Sequence, residues 1–224
     1  MKILFLGTGA ADWPDERGSL KGDFRRKSSI LIDGRILIDP GPCALEAMKE
    51  FGADESKIRY VLATHRHSDH FCPETVEALQ KKSAVFLNLR AGEERQAENY
   101  TITALPANHS IETVHYIISD GEKRIFYGLD GAWLTFEEVQ AIKQDKVDLA
   151  VLDATVGFQE GDYRVFEHNN LEMVIQMKSS LSDSVKQFCI SHMARTLHTE
   201  HEELCKAMKK HGIDVAHDGK TYVI

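Results

Sequence analysis

The segment His65-Arg66-His67-Ser68-Asp69-His70 places three imidazoles and a carboxylate within six positions, directly after the apolar run Tyr60-Val61-Leu62-Ala63. Imidazole nitrogen and carboxylate oxygen are the ligands of divalent metals such as zinc. In an extended segment alternate side chains share a side, so His65 and His67 point together, and the following turn aims Asp69 and His70 at a neighbouring point. One ion does not easily take all four, so the pattern predicts two adjacent metals. The bland alternative is a His-rich surface turn.

A two-metal site needs further ligands, one of them a carboxylate able to bridge, and the ends of later strands should supply them. His109 follows the strand-like Thr101-Ile102-Thr103-Ala104 within Leu105-Pro106-Ala107-Asn108-His109-Ser110. Asp130 follows Arg124-Ile125-Phe126-Tyr127-Gly128-Leu129, and His192 ends Gln187-Phe188-Cys189-Ile190-Ser191-His192. Singly, each is an ordinary loop residue. Together with residues 65–70, they read as one ligand set.

The order HxHxDH, then His, Asp and His resembles the metallo-β-lactamase superfamily, nearly end to end. The opening Met1-Lys2-Ile3-Leu4-Phe5-Leu6-Gly7-Thr8-Gly9-Ala10, then Arg26-Lys27-Ser28-Ser29-Ile30-Leu31-Ile32 and Ile36-Leu37-Ile38-Asp39-Pro40-Gly41, is similar to the branch of ribonuclease Z and the phosphoribosyl cyclic phosphate phosphodiesterase. The resemblance implies a four-layer αββα sandwich. It also implies that His65, His67 and His109 hold one metal, that Asp69, His70 and His192 hold the other, and that Asp130 bridges.

Three more residues take roles beside that set. Asp39 ends an apolar strand and, by the resemblance, would fix ligand imidazoles by hydrogen bonding, a role compatible with its also opening the Asp-Pro-Gly turn. Asp153, at the end of Val147-Asp148-Leu149-Ala150-Val151-Leu152, is open to the same role or to capping. His168 lies where the phosphodiesterase branch carries a catalytic histidine, although Glu167 and Asn169-Asn170 depart from that branch's neighbouring residues. It is expected to donate a proton; an exposed histidine at a helix start is the alternative, with Asn169 or Asn170 as the N-cap.

The chemistry needs these types. Two divalent ions roughly 3.5–4 Å apart lower the pKa of a shared water toward neutrality and set it against phosphorus or carbonyl carbon. Asp69 accepts the water's proton, and His168 supplies one to the leaving oxygen. Metal charge would neutralise the non-bridging oxygens of a phosphodiester. Gly7-Thr8-Gly9 lacks a full nucleotide fingerprint and reads as a tight strand exit, with a backbone role near substrate as the sharper alternative. Arg25-Arg26-Lys27 reads as a solvated loop, or else as a phosphate contact.

At 224 residues and 42% hydrophobic content, with no linker or low-complexity tract, the chain is expected to form one domain over residues 1–224. Short apolar runs dominate up to about Phe126. Amphipathic segments at 136–144, 171–177 and 201–210 lie among or after them, which favours a layered α/β arrangement. Cys43, Cys72, Cys189 and Cys205 have no zinc-ribbon or disulfide spacing and read as reduced thiols. No leader pattern and no membrane-length apolar stretch is present, so a cytoplasmic location is expected.

The net charge of −8 and the short intervals from His70 to His109 and from His109 to Asp130 argue against a transfer-RNA-gripping arm. His198, His201 and His211 are expected at the solvent, His115 in a structural role, and His217 in an Asp-Gly turn. The expectation is therefore a dinuclear metal-dependent hydrolase, most simply a phosphodiesterase on a small or cyclic phosphodiester. Zinc and manganese suit the ligands, as does iron. No membrane or long nucleic-acid partner is expected, and the superfamily's dimers make a homodimer compatible. A thioester or lactone hydrolase on the same metals, and a non-catalytic metal-dependent binding domain, are the alternatives.

Overall fold

The computed structural model describes residues 1–224 and divides into two compact units, Met1–Asn88 with Ala216–Ile224, and Leu89–Val215. Each unit has its own sheet and core.

The first unit contains β1 (Lys2–Gly7), β2 (Ser29–Ile32), β3 (Ile36–Ile38), α1 (Ala44–Glu50), β4 (Tyr60–Leu62), α2 (Pro73–Gln80), β5 (Val85–Phe86) and the C-terminal β13 (Thr221–Val223). Its sheet order is β13-β1-β2-β3-β4-β5. Strands β2 and β3 pair antiparallel around Asp33-Gly34, both in the left-handed region that a tight hairpin turn requires. Strands β3 and β4 then pair parallel, so their C-terminal ends share one sheet edge. Leu6, Leu31, Leu37, Ala44, Met48, Val61 and Leu79 pack together as the core under the two helices.

The second unit contains β6 (Glu94–Ala97), β7 (Tyr100–Pro106), β8 (Val114–Ser119), β9 (Arg124–Gly128), α3 (Phe136–Gln144), β10 (Val147–Asp153), α4 (Leu171–Leu181), β11 (Val185–Ser191), α5 (His201–Lys209) and β12 (Ile213–Val215). Its sheet order is β12-β11-β10-β9-β8-β7-β6. Strands β9 to β12 pair parallel, while β7 and β9 are both antiparallel to β8. The C-terminal ends of β7, β9, β10 and β11 therefore lie along one edge. All of β10 is buried, as a central parallel strand requires, which explains its nearly unbroken apolar run.

Helix α3 opens with a capping box between Thr135 and Glu138, and α4 with the Asn170 side chain accepting from the Met173 amide. Leu171, Val174, Met177 and Leu181 lay one face of α4 on the core. Burying a side chain of that size contributes about 1.5–3 kcal/mol. A charge at Val174 would break that contact.

The amphipathic segments of the sequence become α3, α4 and α5, with α4 one turn longer than its pattern because polar Lys178-Ser179-Ser180 precedes Leu181. Among the short apolar runs that dominate up to Phe126, helices α1 and α2 were not singled out. Each is too short for its periodicity to stand out from the neighbouring strands. The four cysteines are free, two of them buried and two half-buried. No helix is long and apolar enough to cross a membrane.

Candidate metal and catalytic site

In the first unit, β3 delivers Asp39 and β4 delivers Thr64 and His65 to the same sheet edge. Asp39 is buried, with φ at 59°, a backbone region uncommon outside glycine. The Thr64 amide and hydroxyl donate to its Oδ1 at 2.8 and 2.9 Å, and His70 Nδ1 donates to its Oδ2 at 2.8 Å. Because the Thr64 hydroxyl gives its proton to Asp39, its oxygen accepts from His65 Nδ1 at 3.0 Å.

Both buried imidazoles thus carry the proton on Nδ1 and the lone pair on Nε2, the arrangement a metal-binding histidine needs. His65 Nε2 lies 2.9 Å from His67 Nδ1, and His70 Nε2 lies 3.4 Å from Asp69 Oδ2. Gly41 makes this crowding feasible, since a Cβ there would stand 2.3 Å from the Asp69 carbonyl oxygen.

The second unit repeats the device. Asp153 ends β10 fully buried; Oδ1 accepts from the Thr155 and Asn169 amides, and Oδ2 from the Asp130 amide, the Thr155 hydroxyl and His168 Nδ1. Thr155 Oγ1 in turn accepts from His192 Nδ1 at 2.7 Å. Asp130 and His192, just past β9 and β11, both take positive φ, at 56° and 61°. Asp130 Oδ1 lies 3.1 Å from His168 Nδ1 and 3.3 Å from His192 Nδ1. His109, past β7, donates from Nδ1 to the Glu167 carbonyl at 3.1 Å, and its ring lies 5.2 Å from that of His168.

Ligand atoms of Asp130, Asp153, His168 and His192 all lie within 4.8 Å of one another. In each unit, imidazoles held at Nδ1 by a fixed acceptor leave Nε2 free, His65 and His70 with Asp69 in the first and His109 and His192 with Asp130 in the second, and that donor chemistry fits divalent metal.

Burial works against an imidazolium at His168, but the charges of Asp153 and Asp130 and their hydrogen bonds outweigh it and push its pKa up to about 10. Asp153 moves the other way. Burial favours its neutral acid, yet the His168 charge and the bonds from His168 and His192 hold its pKa well below the usual carboxylate range.

The residues singled out in the sequence fall at these positions. His65, His67, Asp69 and His70 meet in the first unit, while His109, Asp130, His168 and His192 meet in the second. Asp39 and Asp153 are both in contact with site histidines, and Asn170 is the N-cap.

Of the other readings, those of Gly7-Thr8-Gly9 and His115 hold, while those of Arg25-Arg26-Lys27, His198, His201 and His211 are corrected. The Thr8 and Gly9 amides both donate to the Arg26 carbonyl, so Gly7-Thr8-Gly9 is a strand exit whose amides are already engaged. Arg25 is buried on Thr8 Oγ1 and the Ala216 carbonyl, Arg26 pairs with Glu50 and Lys27 with Asp15, so this stretch is not a solvated loop. His198 is half-buried and donates to the Ala154 carbonyl, while His201 and His211 are half-buried rather than exposed. His115 is structural: fully buried, it pairs with Glu138 and donates from Nε2 to the Leu129 carbonyl.

Thr64 and Thr155 were missed, and Asn169, weighed only as an N-cap, instead bonds Asp153 and Trp133. Each adjoins a motif residue or lies two positions from one, but a lone hydroxyl or amide has no spacing signal of its own.

The fold and these clusters define a layered α/β protein with imidazoles and carboxylates gathered at strand ends. It has the metallo-β-lactamase fold. A family model described as the metallo-beta-lactamase superfamily matches residues 22–72.

Among solved structures, a diphosphatase of the PhnP family is similar at TM-score 0.75 and 19% identity, covering 99% of this chain and 96% of that one. Zinc-bound PqqB from Methylobacterium extorquens is similar at TM-score 0.74 and 18% identity, over 100% of both chains. Human short-form tRNase Z is similar at TM-score 0.72 and 15% identity, over 100% of this chain and 99% of that one. At these identities the likeness is one of fold. No curated protein matches the chain.

Proposed function

We propose that the protein is a metal-dependent hydrolase that cleaves a small or cyclic phosphodiester. The observation that carries this reading is His168, whose Nδ1 is held 3.0 Å from Asp153 Oδ2 and 3.2 Å from Thr155 Oγ1, in a cluster with Asp130 and His192. With Nδ1 anchored, Nε2 is the atom that gives up a proton. A thioester expels a thiolate and needs no such donor, whereas an alkoxide leaving from phosphorus does. Similarity to a PhnP-family diphosphatase and to tRNase Z supports the phosphoester class.

The ligand roles are those that the motif resemblance implies: His65, His67 and His109 for one ion, Asp69, His70 and His192 for the other, and Asp130 bridging. Divalent metal, zinc or manganese, would supply a nucleophile at neutral pH and charge for the phosphate oxygens. Asp69 takes up the nucleophile's proton. The charges of Asp153 and Asp130 keep His168 an imidazolium at neutral pH, and divalent cations held beside it would draw its pKa down toward the range where an acid works best. The net charge of −8 favours a short substrate over a long polyanion.

The test compares His168→Ala with the parent on phosphodiesters that differ only in leaving group. A loss of about 10²–10⁴-fold is expected for an alkoxide and little loss for p-nitrophenolate. An equal loss on both would remove His168 from proton donation. Preferential thioester cleavage, indifferent to His168, would replace the phosphodiester reading.

A further inference from the structure

The second unit holds an open cavity of about 470 Å³, lined by Asn108, Trp133, Gly161, Val165, Phe166, Asn170 and Met173. That volume falls within the roughly 300–1,000 Å³ of small-molecule sites. Its lining carries no charge. Asn108 precedes His109, and Asn170 and Phe166 each lie two positions from His168, so three of the lining residues are near chain neighbours of the two site histidines.

Two aromatic side chains in its wall are left to solvent, Trp133 at 43% exposure and Phe166 at 78%. Trp133 also adopts φ of 58°, a region that bulky residues rarely enter. The fold enforces this conformation. Asn169, buried, accepts from the Trp133 amide at 2.7 Å and donates to the Gly131 carbonyl at 2.9 Å. Asn108 fixes Ala132 from both sides, its Nδ2 donating to the Ala132 carbonyl and its carbonyl accepting from the Ala132 amide. A strained backbone clamped by neighbours of His109 and His168, with its indole half in water, does no service to the core.

We propose that Trp133 and Phe166 form a substrate subsite that binds a planar, uncharged aromatic ring, a nucleobase or an aryl group, carried by the phosphodiester whose phosphorus is attacked beside His168. The subsite rests on the phosphodiesterase reading and narrows its substrate. An uncharged aromatic wall suits a ring face and offers nothing to phosphate, so the ring and the charged centre are recognised by separate chemistry. Stacking on aromatic side chains tolerates different rings, because each has a π face.

The chain has two tryptophans, so in Trp13→Phe the fluorescence comes from Trp133 alone. Zinc-loaded Trp13→Phe would be titrated with phenyl phosphate, cytidine 3′-monophosphate and methyl phosphate, with calorimetric Kd values for Trp133→Ala, Trp133→Phe and Phe166→Ala. Expected are quenching by ring-bearing ligands but not by methyl phosphate, a loss of roughly 5- to 100-fold in their affinity in Trp133→Ala, and near-retention in Trp133→Phe. Selectivity for cytidine 3′-monophosphate over phenyl phosphate would assign a nucleobase; the reverse would assign an aryl group.

Equal affinity for methyl phosphate, no binding of any ring-bearing ligand, or alanine variants that bind like the parent would overturn the subsite. Ring-selective binding without phosphodiester hydrolysis would instead remove the proposed function and leave the subsite standing. Hydrolysis without ring selectivity would do the opposite.

Discussion

Asp153 Oδ2 lies 3.0 Å from His168 Nδ1, so the carboxylate that ends β10 fixes the ring proposed to deliver the leaving-group proton. The same oxygen accepts from the Asp130 amide and the Thr155 hydroxyl. One side chain therefore orients a proton donor, a candidate bridging ligand and, through Thr155, His192.

Asp153→Asn keeps the size of the side chain but removes its charge and one acceptor. Activity and zinc affinity are each expected to fall by about 10- to 100-fold. Kinetics with p-nitrophenyl phosphodiesters and a competitive zinc titration measure the two losses. A variant that binds zinc and turns over like the parent would show that Asp153 does not fix these groups.

Asp39 and Thr64 perform the corresponding service for His70 and His65. In Thr64→Val the Asp39–His70 bond survives, while His65 loses the acceptor that sets its tautomer. Zinc affinity is expected to drop by about 10-fold or more with the fold intact, as read by a metal titration beside circular dichroism.

Gly41→Ala is a steric test. The added Cβ would stand 2.3 Å from the Asp69 carbonyl oxygen, so the loop that carries Asp69 must shift. Overpacking of this kind costs about 1–3 kcal/mol. Denaturant unfolding should show that loss, and the metal-reloaded enzyme should show a lower kcat.

His115 gives stability a pH dependence. Burial alone would lower its pKa, but the charge and hydrogen bond of Glu138 and the Leu129 carbonyl raise it above the ordinary value. A histidine whose pKa is raised in the folded state contributes stability that is complete below the unfolded value of about 6.5 and is lost as pH rises through the folded value. His115→Gln leaves Glu138 without its charged partner and is expected to cost about 3–5 kcal/mol at pH 6. The difference from the parent should narrow as pH rises above 7 in urea titrations. A constant difference would show that His115 is neutral in the folded protein.

The candidate ligand residues were legible because imidazoles and carboxylates at strand ends leave a pattern of spacing, as in His65-Arg66-His67-Ser68-Asp69-His70. The long helices were legible through their periodicity. Helices α1 and α2 were not, since seven or eight residues contain about two turns and little repetition. The roles of Thr64, Thr155 and Asn169 were hidden for a different reason. Their function depends on which carboxylate the fold brings within 3 Å, and that is a property of register. Arg25 was misjudged on charge alone, because Thr8 and the Ala216 carbonyl, distant in sequence, satisfy its guanidinium in the interior.

The most direct test is hydrolysis of bis-p-nitrophenyl phosphate by chelator-stripped protein reloaded with zinc or manganese, beside a His67→Ala control and a thioester substrate. Phosphodiester cleavage that vanishes with the chelator, returns with metal and is absent in His67→Ala is the expected result. Thioester cleavage alone, or phosphodiester cleavage that survives metal removal, would contradict a metal-dependent phosphodiesterase.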